Sequence, residues 1–401
     1  MPKDYFKVVI TGDVDAGKST LIGRILFETK SVHSGALEEI MGLSQDSGSN
    51  PEFAYLLDSF SEERQDKLTI DSTQVFCKIN NKLKFIFIDV PGHKELIKNM
   101  LCGSTYADRA VIVIDSCKSV TEQTRRHAFI LSFLGVKHFI IAVNKMDAVN
   151  YEEKLFNNIC RAVFEITDSL MITRPICVPV VAKTGDNIIK HSKKMSWYKA
   201  KTLWSVLSEL HKENTLHNFV FPVQDSYDFG PDKVCVGRIV SGRVKVNDEV
   251  LVLPQKRFDR VKRIVEFGSK KSSTKANKSI GLLMYGSEPL KRGQVICFPG
   301  DLKVSDRLNA KVFFIKKINP NMVLNFECST QDMPVRSYKI NKIWDSATLE
   351  LKKIEDIEET DVWEIEFFFE GSVVLGNAQD SVLRRFVLKS DNHIIGVGMI
   401  E

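Results

Sequence analysis

Residues 12–19 read Gly-Asp-Val-Asp-Ala-Gly-Lys-Ser. A β-rich run, Lys7–Thr11, precedes them. Lys18–Thr29 follows, with Leu21, Ile22, Ile25 and Leu26 at helical spacing. A Gly-x4-Gly-Lys-Ser/Thr loop between a strand and a helix is a phosphate cradle. Its glycines let backbone N–H groups wrap the anion, and the helix N-terminus adds partial positive charge. Gly12, Asp13, Val14, Asp15, Ala16 and Gly17 form the cradle, and Ser19 and Thr20 open the helix. Lys18 is placed to reach the β/γ-phosphates and the Ser19 hydroxyl to ligate Mg²⁺. The competing reading is a Gly-rich turn with a surface lysine, which the flanking strand and helix disfavour.

Two further stretches follow at suitable distances. Asp89-Val90-Pro91-Gly92 ends the apolar strand Phe85–Ile88. There a carboxylate can hold Mg²⁺ through its water shell, and the Gly92 N–H can contact a γ-phosphate. Asn144-Lys145-Met146-Asp147 follows the strand Phe139–Val143. One carboxylate, Asp147, can accept both N1–H and the exocyclic amine of guanine, a pair adenine does not offer. Asn144 and the Lys145 stem would support the base from its other edge and face. Taken alone, each short motif is also an ordinary turn. Their order makes guanine the expected base and GTP with Mg²⁺ the expected ligands.

Working outward, 401 residues predict two or three domains. Hydrophobic residues at 43% and charged residues at 27% exclude a largely disordered chain. No apolar run approaches the ~18 residues of a membrane span, and the opening Met-Pro-Lys-Asp-Tyr-Phe-Lys has no leader-like apolar stretch. Eight scattered cysteines, without Cys-x-x-Cys or a Cys/His cluster, read as reduced thiols of a cytoplasmic protein. A net charge of +5 permits an anionic partner without demanding nucleic acid.

The strands Ala110–Asp115, Phe139–Asn144 and Ile176–Val181, separated by helical segments, predict an α/β domain over 1–212 with a mostly parallel sheet. Beyond Phe219 short strands follow one another with Gly, Asn-Asp and Pro punctuation. Val234–Val240, Glu249–Leu253, Arg260–Glu266, Ile280–Met284 and Val295–Phe298 form one series; Lys311–Ile315, Val323–Cys328, Ser346–Leu351 and His393–Met399 form another. That spacing predicts two small all-β barrels, 213–300 and 301–401, with Pro299-Gly300 at their junction.

With Asp89-Val90-Pro91-Gly92-His93 and an α/β domain followed by two β domains, the chain resembles elongation-factor-type translational GTPases. The resemblance implies that Thr69, in Lys67-Leu68-Thr69-Ile70, is the switch threonine sensing Mg²⁺ and γ-phosphate. It implies that His93 orients the attacking water, and that Val14 and Leu68 gate His93. Catalytic roles thus fall on His93, Thr69 and Lys18, metal ligation on Ser19, Thr69 and Asp89. Ala182 and Lys183 are expected to present backbone N–H groups to guanine O6.

Longer stretches resemble the GTPase subunits of two-component sulfate adenylyltransferases. They include Gly17–Leu26, Gln123–Ile130, Gly135–His138, Asn144–Ala148, Gly185–Ile188 with Met195–Tyr198, Phe221–Gln224, Ser241–Val244 and Arg263–Val265. The resemblance covers about residues 5–300 and thins over 301–401. It implies a GTPase that energises adenylylsulfate formation from ATP and sulfate. The catalyst there is a separate small subunit of the ATP-pyrophosphatase type, in a heteromer. No second phosphate loop follows, so a fused adenylylsulfate kinase is not expected. Alternatives are a translation-factor-like GTPase binding aminoacyl-tRNA, or a divergent paralogue energising another nucleotide-activating partner.

The chain departs from the family pattern at Lys67, Leu68, Val90 and Val181, where the family commonly has Gly, Ile, a small residue or Thr, and Ser. Lys256–Lys278 carries nine Lys/Arg against two acids. It reads as a solvated hairpin edge, with Phe258 and Phe267 as strand-core residues, or as a nucleic-acid contact. Residues 355–370 carry eight acids and no Lys/Arg, around Trp363, Ile365 and Phe367–Phe369. They read as a strand with a charged outer face or as a docking surface. Arg125, Arg126 and His127 lie on a helix and read as structural or partner-facing.

Overall fold

The computed structural model describes residues 5–31, 73–79, 83–89, 107, 109–133, 136, 138–169, 173–209, 218–230, 232–266, 269–276, 278–300, 302–314, 322–345, 350–353, 361–376 and 383–401. The chain divides into two compact units, Met1–Lys212 and Glu213–Glu401.

In the first unit six strands form one sheet among the described residues. They are β1 (Tyr5–Gly12), β2 (Thr73–Ile79), β3 (Leu83–Asp89), β4 (Arg109–Asp115), β5 (Phe139–Asn144) and β6 (Ile176–Pro179), in the order β2-β3-β1-β4-β5-β6. All neighbours are parallel except β2, which pairs antiparallel with β3 at the edge. Val8–Ile10, Val111–Ile114 and Ile140–Val143 are buried, as a sheet covered on both faces requires. Among the described residues four helices accompany them: α1 (Lys18–Glu28), α2 (Glu122–Phe133), α3 (Glu153–Ser169) and α4 (Leu203–Ser208). Helix α1 buries Leu21, Ile22, Ile25 and Leu26, the stripe its spacing predicts, and packs on β1 and β3. Helix α2 packs on β1 and β4.

After β1 the chain continues to β3 on one side of it and to β4 on the other, so the sheet order reverses at β1. Open α/β sheets bind ligands outside the carboxyl ends of strands at such a point. Gly12, Asp89, Asp115 and Asn144 are the last residues of β1, β3, β4 and β5.

Among the described residues the second unit is built of β-strands. Strands β7 (Val220–Phe229), β8 (Asp232–Arg238), β9 (Arg243–Lys245), β10 (Glu249–Leu253), β11 (Arg257–Glu266), β12 (Ser269–Lys271), β13 (Ser273–Lys275), β14 (Ser279–Met284) and β15 (Val295–Cys297) come first. Their main sheet runs β10-β15-β7-β8-β14-β11, and a β10–β11 pairing closes the ring into a barrel. Phe219, Phe221, Val250, Val252, Val261, Ile264, Leu282 and Ile296 fill it. A second closed barrel follows: β16 (Lys303–Phe314), β17 (Asn325–Cys328), β18 (Gln331–Trp344), β19 (Val362–Leu375), β20 (Arg385–Ser390) and β21 (His393–Ile400), ordered β16-β19-β18-β17-β20-β21. Its β20–β21 turn places Asp391 and Asn392 at φ 48° and 62°, the left-handed pair that suits two-residue hairpins. Val220, Leu253, Val295 and Cys297 form a shared apolar cluster with Val374 and Leu383, which joins the barrels.

One surface expectation changes. Phe258 is not a core residue; it is 61% exposed. A register shift between Val261 and Arg263 makes Val261 and Ile264 the inward residues, which turns Phe258 outward with Arg260. Phe267 lies outside the described residues, as does most of the expected strand Ser346–Leu351. In β19, Trp363, Ile365, Phe367 and Phe369 are buried, while Glu364 and Glu366 are only partly covered and Glu370 is exposed.

Candidate nucleotide-binding site

The phosphate loop closes on its own lysine. Lys18 Nζ donates to the carbonyls of Gly12 at 3.0 Å and Asp13 at 2.7 Å. Burial pushes the Lys18 ammonium below its ordinary range, against the pull of Asp89, Asp13 and Asp15. Gly17 caps α1 at φ 90°, and a Cβ there would lie 2.4 Å from Asn144 Nδ2. Only glycine serves at both counts. Val14 and Asp15 are exposed at the loop tip, and Thr20 is half-buried on α1.

Asp13 does more than line the cradle. Its carboxylate accepts from Thr121 Oγ1 at 2.7 and 3.0 Å, tying the loop to the residue that precedes α2. His127, on the same helix and 2% exposed, shares a hydrogen bond of 3.3 Å with Thr11 Oγ1. That contact gives His127 a structural place.

Ser19 Oγ donates to Asp89 Oδ2 at 3.4 Å. A hydroxyl and a carboxylate this close, beside the phosphate lysine, match the hard-oxygen chemistry of Mg²⁺. That ion takes few protein ligands and fills its octahedron with phosphate and water. The described residues therefore fit the metal.

At the other end Asn144 is 2% exposed. Its Nδ2 donates to Ala16 O at 2.8 Å, and its Oδ1 accepts from Ala182 N at 2.9 Å. A buried amide must satisfy both ends, and here doing so locks the phosphate loop to the segment after β6. The Ala182 N–H, expected to face the base, is thus engaged by Asn144. Asp147 and Lys183 are exposed. Lys145 stands at φ 61°, and its Nζ pairs with Asp115 Oδ2 at 2.8 Å. Burial raises the Asp115 carboxyl, but hydrogen bonds from Lys145 and the Cys117 N–H hold it below its ordinary range.

Gly12, Lys18, Ser19, Asp89, Asn144 and Ala182 are thus brought together beyond the carboxyl ends of the strands. Lys67, Leu68, Thr69, Val90, Gly92 and His93 lie outside the described residues. Sequence reasoning passed over Thr121, Asp115 and Ser116. One signal pointed to Asp115: a carboxylate ending an apolar strand, in register with Asn144, as Asp89 is with Ile10.

The family description "Elongation factor Tu GTP binding domain" matches residues 3–228, and "Elongation factor Tu domain 2" matches residues 232–297. The sulfate adenylyltransferase subunit 1 of Vibrio vulnificus is 32% identical over all of this chain and 86% of its own length. The chain belongs to that family. The sulfate adenylyltransferase subunit 1 of Bacteroides fragilis is 35% identical over 76% of this chain. Against that subunit 1 the chain spans just under two thirds of the relative's length, 65%. A solved structure of sup35 complexed with GMPPNP aligns over 100% of this chain and 94% of its own, at 22% identity and a TM-score of 0.44.

Proposed function

We propose that this chain is the GTP-hydrolysing subunit of a sulfate adenylyltransferase. In this reading it couples GTP turnover to formation of adenylylsulfate and pyrophosphate from ATP and sulfate. A separate small subunit of the ATP-pyrophosphatase type carries out that reaction. The observation that supports it most is the Asn144 bridge, which ties the phosphate loop to the segment carrying Asn144–Asp147 in a chain of this family.

Lys18 meets the β/γ-phosphates, and the loop N–H groups of residues 13–18 cradle them. Ser19, Thr69 and Asp89 would hold Mg²⁺, which when bound would supply charge neutralisation for the phosphates. Asp147 reads the guanine edge, Lys145 lies along the base, and Lys183 offers its N–H to O6. His93 positions the attacking water, because phosphoryl transfer needs placement more than covalent help. Thr69 and Gly92 report the γ-phosphate, and the switch segments that carry them shift the partner's equilibrium through contacts that differ between nucleotide states. The domains in this reading are 1–212, which binds GTP, and the barrels 213–300 and 301–401. Cytoplasmic residence suits the scattered thiols, and among the described residues no helix is long and apolar enough to cross a membrane.

Affinity purification of the chain from its own cells tests the proposal. A co-purifying small ATP-pyrophosphatase-type subunit and GTP-stimulated adenylylsulfate formation are the expected result. Recovery of aminoacylated tRNA in its place would overturn the choice of partner.

A further inference from the structure

We infer that Asp115 is a positioning residue for nucleotide binding, holding Lys145 in the place from which its stem supports the base. The inference rests on the reading of Asn144–Asp147 as the base site. Asp115 ends β4 directly opposite Asn144 in parallel register. Its side chain is only 4% exposed, yet it is anionic chemistry turned toward the base motif. Oδ2 accepts from Lys145 Nζ at 2.8 Å, and Oδ1 accepts from Cys117 N at 2.9 Å.

The next residue holds the other end of the same lysine. Ser116 Oγ donates to Lys145 O at 2.9 Å, and Ser116 N donates to Asn144 O at 3.0 Å. Lys145 is therefore gripped at its backbone and at its ammonium, with its backbone at φ 61°, a region a lysine seldom adopts. Its side chain remains 38% exposed between those fixed points. A free lysine carries large rotamer entropy, and a ligand stacking on it must bear the cost of ordering it. The Asp115 carboxylate removes that cost before the nucleotide arrives, which is preorganisation. Surface ion pairs contribute little, but this carboxylate is buried, so its removal acts on Lys145 in a poorly screened setting.

The test measures GDP, inosine diphosphate and ADP binding to the full chain, with Asp115→Asn, Lys145→Ala and the double variant. Wild type is expected to prefer GDP to ADP. Asp115→Asn should weaken GDP and inosine diphosphate by the same factor, about tenfold, because the base face and not its exocyclic amine is affected. In the Lys145→Ala background the same change should add less than about twofold, since the two residues act as one unit. An equal loss in both backgrounds would show a merely structural role and overturn the inference, as would unchanged GDP affinity in Asp115→Asn. If wild type does not prefer GDP, the base-site reading itself fails, and the inference with it. Should Asp115→Asn not fold, Asp115→Ala leaves no polar remnant to bury, and the same cycle read on it decides the matter.

Discussion

The side-chain amide of Asn144 donates to the carbonyl oxygen of Ala16 at 2.8 Å, across 128 residues of sequence. Ala16 is fully buried, so this carbonyl has no water to turn to. The end of β5 thereby fixes the phosphate loop, and through Ala182 N it also fixes the segment after β6.

Asn144→Ala leaves the Ala16 carbonyl and the Ala182 N–H buried without their partner. A loss of about 2–4 kcal/mol in unfolding free energy is expected, together with weaker binding of both GDP and GTP. Urea unfolding and nucleotide titration measure the two effects, and an unchanged midpoint would remove Asn144 from its bracing role.

Gly17→Ala meets two obstacles at once, the left-handed backbone at φ 90° and Asn144 Nδ2 at 2.4 Å. Strain and the displaced amide should reduce GTP affinity on the order of a hundredfold. Titration with a fluorescent GTP analogue gives the number; near-normal affinity would mean that the loop tolerates a side chain there.

Asp147→Asn replaces a double acceptor by an amide that carries its own donor. Guanine nucleotides should then lose roughly 10³-fold in affinity while xanthine nucleotides, with a carbonyl in place of the amine, gain. Retained preference for GTP over XTP would sink the guanine assignment.

His93→Ala is expected to leave GTP binding intact and to slow single-turnover hydrolysis on the order of a hundredfold or more, because water placement is lost. Quench-flow with radiolabelled GTP reads the step directly. Unchanged turnover would take the role from His93.

The buried Asp115 carboxylate, paired with the partly exposed Lys145, makes an acid-side prediction. Its folded value lies below the ordinary 3.8, so its stabilisation is fully present above the unfolded value. It is lost as pH falls through the lower, folded value. The stability difference between wild type and Asp115→Asn should therefore stay constant from neutral pH to about 5 and shrink only below about 4. Thermal melts of both proteins across that range measure it; a difference that fades near pH 6 would place the titration on another group.

Much was legible in the sequence because local rules decide it. A Gly-rich loop between an apolar strand and an amphipathic helix has one economical arrangement, and strands buried on both faces demand a parallel sheet with helices on each side. Closely spaced strands with turn residues lead to closed barrels, since closure removes exposed edges. Phe258 was misread because a single register shift reverses which side chains face inward, and nothing in a strand's composition marks where that shift falls.

What the linear order of residues determined by itself is the set of elements and the chemical kit: Lys18, Ser19, Asp89 and Asn144, each at the end of a strand or the start of a helix, and Asp147 in the turn after β5. The partnerships were decided only in three dimensions. Asp13 with Thr121, Asp115 with Lys145, and Asn144 with both Ala16 and Ala182 join residues 30 to 128 positions apart or link separate loops. Such pairs depend on strand order and register. Those follow from how the whole sheet buries its apolar faces, and no local pattern specifies them.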